Sequence, residues 1–176
     1  LVKMFAEDSF TINGDYVAAG TPIDVVTGYQ FVSYFPMESM DALVAFETII
    51  GDDLDFIRNS TGGMLRKIGP NWINGIGDWV NTEGYLFRMN QADELIITGE
   101  VIDSQTPIVL STGYQMIGYL PDEALNTAEV FQDVLENLEF VRNTNGYMFR
   151  KIGPVWVNSI GDMQPGEGYL VKMNND

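Results

Sequence analysis

The chain has 176 residues, a net charge of −16 and neither cysteine nor histidine. Disulfides, Cys or His metal sites and any mechanism built on a thiolate or an imidazole are thereby excluded. So acidic a surface repels phosphate backbones and anionic lipid, and no apolar run approaches the ~20 residues that span a bilayer, so neither nucleic acid nor a membrane is an expected partner.

The elements come in pairs, because the chain is written twice. Phe56–Met89 and Phe140–Met173 align without a gap and are identical at 20 of 34 positions. "TPIDVVTGYQFVSYFP" (21–36) matches "TPIVLSTGYQMIGYLP" (106–121), and "LVKMFAEDSFTING" (1–14) parallels "LFRMNQADELIITG" (86–99). A repeat of about 85 residues is too long for a solenoid coil and suits a small domain. Two frames fit. In the preferred one the units are 1–85 and 86–176. In the other, residues 1–14 close a preceding unit, 22–99 form a unit, and 107–176 form a unit without its last strand. A chain that opens on Leu1 reads as a fragment cut from a longer one.

In chain order, "SFTING" and "ELIITG" alternate and end in Gly, which predicts strands. "PIDVV" and "PIVLS" are short strands opening on Pro. Tyr29–Phe35 and Tyr114–Leu120 are apolar at most positions and are expected to be central, covered strands. Pro36 and Pro121 end them. A helical period follows: Ala45, Phe46, Ile49 and Ile50 in the first copy, and Val130, Phe131, Val134, Leu135 and Leu138 in the second, with Asp41 and Asn126 as N-caps. These predict one helix of roughly three turns per unit. "DFIRN–STGG–MLRKI" and "EFVRN–TNGY–MFRKI" read as hairpins. After Gly-Pro, "WIN" or "WVN" resumes the strand, Ile-Gly-Asp turns, and "YLFRM" or "YLVKM" is the last strand of the block. The predicted fold class is mainly β: two tandem homologous antiparallel modules, sandwich- or barrel-like, each with one short helix.

All nine Lys and Arg stand at positions used in more than one copy: Arg58 with Arg142, Arg66 with Arg150, Lys67 with Lys151, and Lys3 with Arg88 and Lys172. Most acids do not recur, so acids coat the surface while the cations have fixed jobs. The first reading of those jobs is bonding to carboxylates, with Arg stems covering the sheet. The second is holding an acidic ligand such as a uronic-acid glycan. Trp72 and Trp156 recur beside Ile or Val and read as core anchors, together with the repeated arginines. Trp79, opposite Met163, follows a Gly-Asp turn and is expected to be half exposed. With Tyr147 it is the candidate platform for a sugar ring. Asn74, Asn158, Asp78 and Asp162 read as residues bonding their own turns. Asp52, Asp53 and Asp55 place three carboxylates in four residues, a candidate calcium site without the spacing of a helix–loop–helix loop; no other cofactor is expected. No pair of carboxylates is placed for hydrolysis, and "GPNWINGIG" lacks a P-loop's Lys-Ser/Thr.

"TGYQFVSYFP", a helix, "PGEGYLVK" (165–172) and "ELIITG" together resemble the repeated modules of large secreted and cell-surface bacterial proteins, Bacteroidetes-like ones above all. There the pattern runs Gly-Trp-Asn-Leu-Ile-Ser-x-Pro and then Pro-Gly-x-Gly-Tyr-Trp-Val-Lys. Here Tyr29 and Tyr114 stand for the first Trp, and "NTEGYLFR" (81–88) is the looser second block. The resemblance implies an extracellular, non-catalytic repeat, structural or adhesive, whose partners are neighbouring repeats and a glycan or another surface protein. The alternative is a carbohydrate-binding module attached to a polysaccharide-degrading enzyme.

Overall fold

The computed structural model describes residues 8–10, 22–34 and 36–174. "LVKM" at 1–4, with Lys3, and the end of "SFTING" lie outside the described residues. The strands are β1 (Asp8–Phe10), β2 (Ile23–Val25), β3 (Gly28–Ser33), β4 (Met40–Asp41), β5 (Leu54–Arg58), β6 (Met64–Ile68), β7 (Asn71–Asn74), β8 (Asp78–Trp79) and β9 (Gly84–Met89). They continue as β10 (Asp93–Leu95), β11 (Ile108–Leu110), β12 (Gly113–Gly118), β13 (Leu125–Asn126), β14 (Leu138–Arg142), β15 (Met148–Ile152), β16 (Val155–Asn158), β17 (Asp162–Met163) and β18 (Gly168–Met173). The helices are α1 (Ala42–Ala45) and α2 (Thr127–Val130). The chain is mainly β, with antiparallel sheets throughout, as its turn and alternation signals predict.

Two five-stranded sheets carry the structure, ordered β3-β9-β5-β6-β7 and β12-β18-β14-β15-β16. On the inner face of the first, Val32, Ile57, Leu65, Tyr85, Phe87 and Met89 meet a second layer made of the ribbons β2/β10 and β4/β8 and the helix α1. The second sheet packs the same way beneath β13/β17 and α2. The first core runs from Ile23 to Ile97 and the second from Ile102 to Met173. A cut between Tyr85 and Leu86 falls inside β9, whose inner residues all belong to the first core.

Both predicted caps hold: Asp41 and Asn126 each accept a hydrogen bond from the backbone N–H two residues on, at 2.8 and 3.0 Å. The helices are shorter than the apolar period predicts. Each has one α turn, after which Phe46 or Phe131 leaves the helical conformation; a 3-10 turn, Gln132–Val134, follows in the second half. Side chains at this spacing face one way in either kind of turn, so Val134 and Leu138 are buried without a continuous helix, and Leu138 already belongs to β14.

β3 and β12 are terminal strands of their sheets, not the central ones expected. Gln30 replaces a neighbour on the free side: its Oε1 accepts from Val26 N–H at 2.8 Å and its Nε2 donates to the Asp24 carbonyl at 3.1 Å. Gln115 does the same for Ser111 and Val109. The far ends of β3 and β12 face the opposite half of the molecule. Ser33 N–H donates to the Gly166 carbonyl at 3.0 Å and Gly118 N–H to the Thr82 carbonyl at 3.1 Å. Phe31 N–H donates to Thr144 Oγ1 and Met116 N–H to Ser60 Oγ, both at 2.8 Å. These contacts join twin positions crosswise, so the halves meet through a pseudo-twofold interface.

Candidate functional site: two outer sheet faces and the clefts between them

Alternation along the strands sorts the side chains. In β9, Tyr85, Phe87 and Met89 point inward, so Leu86 and Arg88 point outward. In β5, Ile57 is inside and Phe56 and Arg58 are outside. Cross-strand register then lines up Tyr29, Arg88, Phe56, Arg66 and Ile73, one from each strand. The second sheet lines up Tyr114, Lys172, Phe140, Arg150 and Val157. Each outer face thus carries a row in which aromatic and cationic side chains alternate, ending on an exposed β-branched residue.

The row is packed, not merely adjacent. The Arg88 guanidinium lies 5.3 Å from the centre of the Tyr29 ring, and Lys172 Nζ lies 5.2 Å from that of Tyr114. Phe56 and Phe140 meet the same tyrosines edge-on at 6.3 and 6.2 Å. Arg88 is paired with Asp55 at 3.1 Å and Lys172 with Glu139 at 2.6 Å. The Glu139 hydrogen bond raises the Lys172 ammonium above the ordinary lysine value, so it stays charged.

A second, shorter row holds Phe31, Leu86, Arg58 and Met64, matched by Met116, Leu170, Arg142 and Met148. The pseudo-twofold interface sets these rows beside one another and leaves two clefts. One, of about 380 Å3, lies over Tyr29, Phe31 and Leu86 and receives Arg142 from the opposite half. The other, of about 220 Å3, lies over Tyr114, Met116 and Leu170 and receives Arg58. Among the described residues, Arg58, Arg66, Arg142 and Arg150 form no ion pair.

The turns framing the clefts are fixed from below. Asn59 Oδ1 accepts from Gly63 N–H at 2.7 Å and Asn143 Oδ1 from Tyr147 N–H at 2.9 Å, closing the two hairpins. Tyr85 OH accepts from Val80 N–H, and Tyr169 OH accepts from Gln164 N–H and donates to Glu167 Oε2 at 2.7 Å. Burial raises the pKa of Tyr34 to about 12 and pushes Tyr85, Tyr119 and Tyr169 further still. Burial also raises Glu83, against the lowering effect of its hydrogen bond with Tyr85.

The residues singled out in the sequence are scattered. Trp79 is 1% exposed, which corrects the expected half-exposed position: β8 pairs with β4 and turns the indole inward, where Phe46 and Tyr85 lie 3.7 and 3.5 Å from it, centre to centre. It offers no surface to a sugar. Tyr147 is 56% exposed on the β14–β15 hairpin and lines neither cleft. Trp72 and Trp156 are half-buried against their cores, Trp156 stacked on Phe149. Asp52, Asp53 and Asp55 diverge to Lys67 Nζ, Gln91 Nε2 and Arg88 Nε, and among the described residues no group of three metal-binding side chains is assembled. Asn74 and Asn158 bond their own turns: each Oδ1 accepts two backbone N–H groups, and each Nδ2 donates to the carbonyl of Gly77 or Gly161. The outer rows were within reach of the sequence, since Phe56 and Arg58 flank an inward Ile57, and Leu86 and Arg88 flank an inward Phe87.

Fold and faces define a mainly β protein of antiparallel sheets with two cation-bearing outer surfaces. Compared with protein-family models, curated proteins and solved structures, the chain finds no match.

Proposed function

We propose that the chain is a non-catalytic binding module, an adhesive part of a larger secreted or surface protein, and that its two outer faces hold an acidic polysaccharide. One observation carries this reading. In a chain with 25 Asp and Glu, four arginines on the outer faces have no carboxylate partner among the described residues: Arg66 and Arg150 stand beside Phe56 and Phe140 in the long rows, and Arg142 and Arg58 reach into the clefts lined by the exposed Tyr29 and Tyr114. A guanidinium in such a chain finds a carboxylate easily, so two unpaired arginines on each outer face suit a carboxylate brought by a ligand. Rings beside it suit the apolar face of a sugar. The net charge opposes an anion at long range, but screening limits that field to about 8 Å at physiological ionic strength, so the local cations govern contact. Two like faces on one chain multiply weak contacts.

The test is retention on polygalacturonate against neutral dextran. The reading expects retention on the first alone, weakened by salt. No retention on either removes it; equal retention on both assigns the binding to Tyr29 and Tyr114 stacking and returns the module to the neutral-carbohydrate class.

A further inference from the structure

The slots beside β2 and β11 are equivalent, yet they are filled from different places. β2 pairs with β10, the strand that follows its own sheet, in the register Asp93 to Val25, Glu94 to Asp24 and Leu95 to Ile23. β11 pairs with β1, in the register Asp8 to Leu110, Ser9 to Val109 and Phe10 to Ile108. Each of these pairs is the other displaced by the repeat length, and "DSF" stands at the positions of "DEL". The second core is therefore closed by a strand that precedes the first sheet.

That closure is held by a three-residue ladder and by the 3-10 turn Gln132–Val134, which lies against β1. A ladder of this length is marginal by itself, so it opens far below the cost of unfolding a core. Once open, β11 offers backbone N–H and C=O groups that any strand of the same pattern satisfies. We infer that the β11 edge is a strand-acceptor site that takes, in trans, the β1 segment of a second copy of this chain. Donor and acceptor are different surfaces, so the contact is head-to-tail and propagates, linking copies in a row without repacking either core.

Cysteines at directly opposed positions test it, because paired strands hold Cα atoms within disulfide reach. Ser9→Cys and Val109→Cys are made separately in the full chain, the second with a size tag, then mixed and oxidised gently. Asp24→Cys with Glu94→Cys in one chain is the reference for a pair closed within a copy. The expected result is a disulfide-linked dimer of one tagged and one untagged chain, and a concentration-dependent series of multimers from the Ser9→Cys/Val109→Cys double variant. A double variant that closes only within single chains at every concentration, with no mixed dimer, overturns the inference. So does a double variant that forms no disulfide where the reference does.

Discussion

Gly84 sits against the backbone of Ile117 in the opposite half: a Cβ added to it would stand 2.4 Å from the Ile117 carbonyl oxygen. Its twin, Gly168, meets the Val32 carbonyl oxygen at 3.0 Å. The glycine of "TEGY" and "GEGY" is therefore where the halves touch. Gly84→Ala should lower stability by about 3 kcal/mol and Gly168→Ala by less, since overpacking against backbone costs roughly 1–3 kcal/mol or more. Urea denaturation of the two variants checks the order; equal or negligible losses would mean that the halves do not approach this closely.

Trp79 should behave as a core residue. Truncation to Ala is expected to cost about 3–5 kcal/mol, the usual range for a buried large aromatic. Trp79→Met places there the residue that Met163 supplies in the second core, and it also removes a buried indole N–H that has no hydrogen-bond partner among the described residues. Its loss should be well under that of the Ala variant. Melting curves of the two decide it, and a harmless Trp79→Ala would put the indole back on the surface.

Alkaline pH should unfold the chain through its buried tyrosines. Their folded pKa values lie above the ordinary 10.0, Tyr34 at about 12. The folded state thus holds these protons more tightly than the unfolded one. The contribution is complete below the unfolded value near 10.0 and is lost as pH rises from there through 12. Urea midpoints should fall between about pH 9 and about pH 11, with no gain anywhere in that interval. Tyr34→Phe should shrink the fall; an unchanged profile would show that this hydroxyl is not shielded.

The outer-face arginines separate binding from folding. Arg58→Ala with Arg142→Ala removes the guanidinium from both clefts and should abolish retention on polygalacturonate, while exposed sites of this kind change stability by only about 0.5 kcal/mol. Lys67→Ala with Lys151→Ala removes as much charge from the other side of the sheets and should leave retention in place. Equal loss in both pairs would reduce the interaction to net charge.

Asn158 anchors a turn through four hydrogen bonds, two of them accepted from Ile160 and Gly161 N–H and two donated to the Gly161 carbonyl and to Asn126 Oδ1. Asn158→Ala should cost about 2 kcal/mol, the scale for stranding partly buried donors. Asn158→Asp should recover part of that, since the acceptor returns and the donors do not. Denaturation midpoints of both variants test whether the amide has this structural role.

The elements that the sequence showed plainly are those set by neighbours. Strand alternation, hairpin glycines, Asn74 and Asn158 turning on themselves, and the caps Asp41 and Asn126 all involve partners within a few residues. Trp79 escaped because its burial depends on Met40, far upstream, which pairs with it across β4 and β8. Asp52, Asp53 and Asp55 looked like a cluster because they are adjacent in the chain, but each has its own partner, Lys67 from β6, Gln91 from the turn after β9 and Arg88 from β9 itself. The outer rows were half legible: phase along each strand put Arg58 and Arg88 outside, and only register across strands put Arg88 between Tyr29 and Phe56.

The amino-acid order by itself determined that short antiparallel strands form, where they turn, and that the same set is written twice, because backbone conformation and side-chain phase are local quantities. Only the tertiary structure decided that β1 closes the second core, that Gly84 marks a seam and that Arg58 and Arg142 each enter a cleft of the opposite half. Those facts depend on which strand edges meet, and hydrogen-bonding groups on every edge are chemically alike until packing chooses among them.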